Sequence, residues 1–317
     1  MAEIYHIPAM LQETIEGLKI KSDGIYVDVT FGGGGHSRAI LERMREMYNA
    51  QCTMHKGLVE GSVQDKGRLY SFDQDADALS NAIDDERWTF VHSNFRYLRN
   101  WMDYYGVEGI DGLLADLGVS FHHFDCPERG FSFRFSAPLD MRMNQTAKRT
   151  AADIVNSYSE EELARIFWLY GELKNGRQIA RNICQARSKK PIERTEDLVA
   201  ASRIPETMSK ELARLFQALR IEVNDELGAL REMLVAARDL LKPGGRIAIL
   251  TYHSLEDRLV KNFLRSGNLE GTIEKDFYGN NLSPFELIEK GREASAEEVE
   301  RNPRSRSAKL RVAEKKN

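Results

Sequence analysis

Short apolar runs alternate with helical stretches along the first third of the chain. Residues 25–30, 68–73, 89–92 and 112–116 are short runs that read as strands, the first three with β-branched or aromatic side chains and the last with leucines. Residues 37–47 and 76–83 read as helices between them. Strands that alternate with helices predict a mostly parallel sheet covered on both faces. Residues 49–66 show no clear period and read as a surface insertion.

After Asp140 the texture changes, and for roughly the next hundred residues no convincing strand is present. Ser159-Glu160-Glu161-Glu162 is a capping-box pattern opening a helix over 163–170. Thr195 is placed to cap 196–202, Ser209 to cap 210–221, and Asn224 to open a helix that runs to Leu241. Phe167, Trp168 and Tyr170 fall at helical spacing and read mostly as core. Lys242-Pro243-Gly244-Gly245 closes the last helix, residues 246–251 return to strand character, and 310–312 supply a final strand. The pattern describes a helical domain inserted into an α/β fold.

Composition narrows the class. A chain of 317 residues with 42% hydrophobic and 30% charged content has the profile of a globular protein with ample core. No apolar run approaches the roughly 18 residues of a membrane span, and Met1-Ala2-Glu3-Ile4-Tyr5-His6 lacks the regions of a signal peptide, so the cytoplasm is the expected location. Cys52, Cys126 and Cys184 are too scattered for a zinc cluster and odd in number for a disulfide framework. The net charge of -4 hides asymmetry: residues 174–194 and 301–317 each carry seven basic residues and one acid, which makes a local phosphate-binding face plausible.

The candidate chemistry gathers where strands end. Residues 26–31 run into Gly32-Gly33-Gly34-Gly35 and then a helix, a turn that lets backbone N–H groups approach a ligand. Asp73 ends the next strand and is placed to accept from a ribose diol. Dinucleotide and S-adenosylmethionine (SAM) sites share this arrangement. A G-x-G-x-x-G fingerprint fails, because the third glycine falls on Ser37 or Arg38, whereas an acid followed by x-x-x-G-x-G is met by Asp28, Gly32 and Gly34. Asp116 follows a further strand, where a carboxylate would face methyl donor and substrate, and Phe95 is placed to lie against an adenine ring. His122-His123-Phe124-Asp125-Cys126 offers metal ligands without a second cluster at matching spacing, so no metal is expected. His253 and Ser254 are placed to border the pocket, with no legible nucleophile triad.

Eight motifs, in order and across nearly the whole chain, resemble the MraW/RsmH family. They are Asp28-Val-Thr-Phe-Gly-Gly-Gly-Gly-His36-Ser37, Phe72-Asp73-Gln-Asp75, Asp116-Leu-Gly-Val-Ser120, Arg129-Gly-Phe-Ser-Phe133, Leu139-Asp-Met-Arg-Met143, Arg220-Ile-Glu-Val-Asn224, Tyr252-His-Ser-Leu-Glu-Asp-Arg258 and Asn302-Pro-Arg-Ser-Arg-Ser-Ala-Lys309. The resemblance implies a Rossmann-like class I SAM-dependent methyltransferase fold with a seven-stranded sheet and an inserted all-helical domain. It implies methyl transfer from SAM to N4 of a cytidine in the decoding, P-site region of 16S ribosomal RNA, leaving S-adenosylhomocysteine. Gly33, Gly34, Gly35 and His36 would contact SAM through the loop, Asp73 the ribose, Phe95 the adenine region, and Asp116 the methyl-bearing end. Asp116 would also be the catalytic acceptor. His123 stands where the family usually has Gln, and an imidazole there still makes one hydrogen bond. The implied division is methyltransferase 1–128, helical substrate-recognition domain 129–222, methyltransferase 223–317. The partner would be the 30S subunit or a late precursor of it, with a homodimer compatible.

Two other readings share features with this one. A nicotinamide-dependent oxidoreductase has the glycine loop and Asp73 but needs the missing third glycine. A non-catalytic assembly factor that only binds RNA has no need of Asp28, Gly32, Gly34, Asp73 and Asp116 together.

Overall fold

The computed structural model describes residues 8–54, 67–118 and 126–317. Two compact units are present, Met1–Gly118 with Gly228–Asn317, and Val119–Leu227. The division implied by the family resemblance put the breaks after residues 128 and 222.

The first unit is built on one sheet. Its strands are β1 (Ile25–Asp28), β2 (Arg68–Asp73), β3 (Trp88–His92), β4 (Ile110–Asp116), β5 (Leu241–Thr251), β6 (Phe285–Glu293) and β7 (Lys309–Lys315). Their order is β3-β2-β1-β4-β5-β7-β6. Neighbours among β1 to β5 run parallel, and β7 is antiparallel to both β5 and β6. This is the class I methyltransferase arrangement implied by the sequence motifs.

The strands read as continuous apolar runs because both faces are buried. Val27, Leu113, Ile247 and Ile249 point into one layer with Leu98, Met102, Leu234 and Phe263. That layer is supplied by α3 (Leu98–Tyr104), α9 (Glu226–Leu240) and α10 (Ser254–Ser266). Tyr26, Leu114, Ala248 and Leu250 point the other way, against Leu18, Ile40 and Met44 of α1 (Leu11–Leu18) and α2 (Gly35–Met54). Chain order departs to opposite sides from β1 and β4, so a crevice opens beyond their carboxyl ends.

The second unit is helical: α4 (Ala151–Ser157), α5 (Glu160–Leu169), α6 (Gly176–Arg187), α7 (Thr195–Ser202) and α8 (Ser209–Asn224). Ile154, Leu163, Phe167, Ile183, Leu198 and Leu219 fill its core. Trp168 departs from the expectation of burial, with 64% of its surface exposed, while Phe167 is fully enclosed.

Several element ends differ from the pattern. Residues 49–54 continue α2, and the rest of the expected insertion lies outside the described residues. Thr195 is the first helical residue of α7; its hydroxyl donates to the Phe135 carbonyl at 2.6 Å and accepts from Ala137 N at 3.1 Å. Ser209 likewise sits inside α8, whose cap position is Met208. Asn224 ends α8 and opens nothing. Its side chain donates to the Met141 carbonyl and accepts from Met143 N, both at 2.8 Å. Asp225, left-handed at φ 47°, breaks the helix before α9. Ser159 caps α5 as expected, in a reciprocal box with Glu162.

This difference is measurable. Ser159→Ala is expected to cost about 1 kcal/mol, and Ser209→Ala to stay within about 0.5 kcal/mol, in denaturant unfolding followed by circular dichroism. Equal costs would contradict the two cap assignments.

Candidate functional site

Every described residue of the crevice belongs to the first unit. β1 ends at Asp28, which is fully buried. Its carboxylate accepts from the Ser37 hydroxyl at 2.6 Å and from Thr30 N at 3.0 Å, and Ser37 Oγ lies 2.8 Å from Ser71 Oγ. Burial pushes the Asp28 carboxyl above its ordinary range, while the Ser37 hydrogen bond and the nearby His36 ring oppose the rise. Asp28 therefore ties strand to helix instead of facing a ligand.

The glycine loop is pinned from three sides. Val29 N donates to the Leu114 carbonyl at 2.9 Å, Phe31 N to the Phe72 carbonyl at 2.8 Å, and Gly34 N to the Phe31 carbonyl at 2.7 Å. Gly32 and Gly34 adopt φ of 50° and 74°, in the region that favours glycine. A Cβ on Gly34 would lie 2.9 Å from the Phe31 ring, and one on Gly35 2.8 Å from Pro8. The Gly33 carbonyl accepts from Arg38 Nη1 at 2.7 Å.

Asp73 reaches across to this loop. Its Oδ2 accepts from Gly32 N at 2.8 Å and its Oδ1 from Asp75 N at 2.9 Å. Both carboxylate oxygens thus accept from the backbone at the mouth of the crevice. The same bonds bear on the choice of ligand. The Gly32 and Gly34 amides, which a pyrophosphate at such a loop would use, are donated to Asp73 and to Phe31 instead.

Asp116 ends β4. Its backbone N donates to Thr30 Oγ1 at 2.6 Å, and its Oδ1 accepts from the Tyr252 hydroxyl at 2.6 Å. Oδ2 lies 3.7 Å from His36 Nδ1, and the side chain keeps 17% exposure. Burial and then the Glu256 charge push its carboxyl up to about 7, against the Tyr252 hydrogen bond. His36 is 5% exposed, and its Nε2 faces the Ala9 carbonyl at 3.2 Å. A carbonyl only accepts, which assigns the proton to Nε2 and leaves Nδ1 as a lone pair toward Asp116. Burial lowers the His36 pKa and favours the neutral ring. Burial and the Asp116 carboxylate hold the Tyr252 phenol well above its ordinary value, so it remains a donor.

Phe95 follows β3, half-buried against the sheet core. Ser93 N donates to the Asp73 carbonyl at 2.9 Å, which holds this segment beside the Asp73 turn. His253 caps α10, with Glu256 N on its Nδ1 at 3.4 Å, and Ser254 is the first helical residue. His123, with the rest of the His122-to-Asp125 run, lies outside the described residues. The structure thus brings together Asp28, the glycine loop, His36, Asp73 and Asp116. It adds Tyr252, which sequence reasoning quoted only as part of a motif; its place at a strand end was the available signal.

The basic segments differ in their free charge. In the C-terminal one, Arg301 pairs with Glu298, Lys309 with Glu293, Arg311 with Asp257, and Lys315 donates to the Arg238 carbonyl. Lys309, Arg311 and Lys315 are thereby committed to the sheet, whereas Arg306 is exposed with no ion pair or side-chain hydrogen bond among the described residues.

The sequence profile of the MraW methylase family matches residues 3–316. The chain is 56% identical to the ribosomal RNA small subunit methyltransferase H of Phocaeicola vulgatus, over 99% of this chain and 98% of that one. It is 58% identical to the protein of the same name in Parabacteroides distasonis, over 98% and 97%, and 54% identical to that of Bacteroides thetaiotaomicron, over 98% of each.

A raised Asp116 pKa has a thermodynamic signature. The folded state binds its proton up to about pH 7, the unfolded state only to about 3.8, so stability falls as pH rises between these values. Asp116→Asn removes that loss. Its stability relative to the parent protein is expected to improve steadily from pH 4 to pH 7, measured by denaturant unfolding at each pH; a pH-independent difference would refute the raised pKa.

Proposed function

The chain belongs to the MraW methylase family, and from that membership we propose that it transfers a methyl group from SAM to N4 of a cytidine in the decoding region of 16S ribosomal RNA. The observation that carries the reading is the strand-end crevice, with Asp73 bonded to the glycine loop and Asp116 poised beside it. Asp73 and Asp116 at the crevice, with the Gly32 and Gly34 amides already bonded within the protein, suit a positively charged sulfonium ligand better than a pyrophosphate. The names of the relatives support a small-subunit ribosomal RNA substrate.

The residues fit the cofactor. Asp73 would hold the ribose, Gly33 to His36 the loop side, and Phe95 the adenine side. SAM supplies a methyl group on a sulfonium whose sulfur leaves as a neutral thioether. What remains for the protein is alignment of the nucleophile and a place for the proton.

A cytosine N4 lone pair is delocalised into the ring, so the amine needs an acceptor to pyramidalise. Tyr252 occupies Asp116 Oδ1, which leaves Oδ2 for one amine hydrogen. As the N–C bond forms, the amine proton passes to Oδ2, and the neutral His36 Nδ1 lies 3.7 Å behind it. A carboxyl with a pKa of about 7 is matched to taking a proton near neutrality. Asp116 is the catalytic acceptor in this scheme and Tyr252 a positioning residue. The base must be splayed from its strand to reach the crevice, and the helical unit serves as the substrate-recognition domain.

Transfer of labelled methyl from SAM to 30S subunits from cells lacking the gene, with mass mapping of the nucleoside, tests the proposal. N4-methylated cytidine in the decoding region is the expected product; SAM binding without transfer to small-subunit RNA would overturn it. In the same assay Asp116→Asn is expected to lower kcat, measured at saturating SAM, by about 100-fold or more. The parent kcat should rise with pH through about 7. Tyr252→Phe removes the bond that holds the Asp116 pKa down, so its profile should move to higher pH; an unmoved profile would rule out the positioning role.

A further inference from the structure

Resting on that reading, we propose that a cleft within the helical unit is an RNA-binding site of its own, holding unpaired nucleotides of the substrate through their phosphates. The cleft has a volume of about 540 Å³ and lies between the end of α6, residues 188–192 and α7. That size is within the roughly 300–1,000 Å³ of ligand clefts. It shares no residue with the strand-end crevice.

The interior of the cleft is partly apolar and is held in place by side-chain hydrogen bonds. Ile192 and Ala201 line it and are buried. The Asn182 amide donates to the Ser202 carbonyl at 3.1 Å and accepts from Gln178 at 2.9 Å, which fixes α6 to the end of α7. The rim is cationic, with Lys189, Lys190 and Arg203. Lys190 is paired with Asp197 at 3.2 Å, the one acid in the lining. The Lys189 and Arg203 side chains are exposed and have no ion pair or hydrogen bond among the described residues.

Two uncompensated cations above an apolar floor match a ligand that is anionic along one edge and flat and apolar on the other. A nucleotide in a single strand has that form: phosphate oxygens for Lys189 and Arg203, and a base or ribose face for Ile192 and Ala201. A duplex keeps its bases stacked inside and offers a concave cleft no such face. The protein's net charge of -4 repels RNA overall, so binding depends on local sites where cations are not already neutralised.

The test is binding of the full-length protein to a 16S rRNA transcript across a salt series. Lys189→Ala/Arg203→Ala is expected to weaken binding about 10-fold and to make the log–log salt slope shallower by about 1.4, two phosphate contacts at about 0.7 each. Ala200→Trp, at an exposed position in the lining, should weaken binding by filling the cleft. A control with the same charge change, Lys261→Ala/Lys275→Ala, should retain most of the affinity. SAM affinity and thermal unfolding should match the parent protein throughout, which separates loss of the site from loss of the fold. If the Lys189/Arg203 variant keeps the affinity and slope of the control, the proposal fails. It also fails if that variant binds the naked transcript normally and loses only transfer to assembled 30S subunits, since the cleft would then face a ribosomal protein. Failure of the functional reading itself is distinct: the parent protein would transfer no methyl to small-subunit RNA.

Discussion

The hydrogen bond from the Ser37 hydroxyl to the buried Asp28 carboxylate is the constraint on which the crevice depends. It joins the end of the first strand to the first turn of the following helix. With both ends held, the intervening residues turn through Gly32 and Gly34 in conformations that other side chains rarely adopt. The loop then offers its Gly32 amide to Asp73, and Thr30 offers its hydroxyl oxygen to the Asp116 amide. One buried acid thereby sets the positions of the two that face the crevice.

The three strand-end acids meet three different fates because their partners differ. Asp28 is enclosed by hydroxyl and amide donors and is structural. Asp73 is held by two backbone N–H groups. Asp116 is the least well compensated: one phenol donor, a neutral imidazole and a nearby Glu256. A carboxylate short of donors in a partly enclosed place is a proton acceptor. The contrast between Asp73 and Asp116 follows from hydrogen-bond geometry before any ligand is considered, and the proposed division of binding from chemistry rests on it.

Much of this was legible in the sequence. The parallel strands announced themselves as continuous apolar runs, because burial on both faces removes the polar alternation. Asp28, Asp73 and Asp116 could be placed at strand ends on that basis. β6 was not found, since Glu286, Glu289, Lys290 and Arg292 interrupt its apolar positions; as an edge strand it is protected by such charges. The caps at Thr195 and Asn224 were misplaced for a related reason. Local spacing identifies a residue able to cap, but these side chains bond to residues 135–137 and 141–143, far away along the chain. The Tyr252 to Asp116 bond spans 136 residues and is set by β4 and β5 lying side by side. No local pattern carries such a contact.

Composition misleads most where charge is concerned. The segments 174–194 and 301–317 have the same count of basic and acidic residues, yet tertiary contacts make them different objects. In the C-terminal segment Arg311 is 7% exposed and bonded to Asp257, and Lys309 faces Glu293 across the β6 and β7 pair. Those two charges are committed to the sheet and have little left to offer a phosphate. At the end of α6, Lys189 has no carboxylate partner among the described residues, and Arg203 joins it from the end of α7. An ion pair already made must be broken before a phosphate can take its place, whereas an unpaired surface cation gives up only loosely held counterions. The total of basic residues in a segment is therefore a poor guide to the charge that folding leaves for a phosphate.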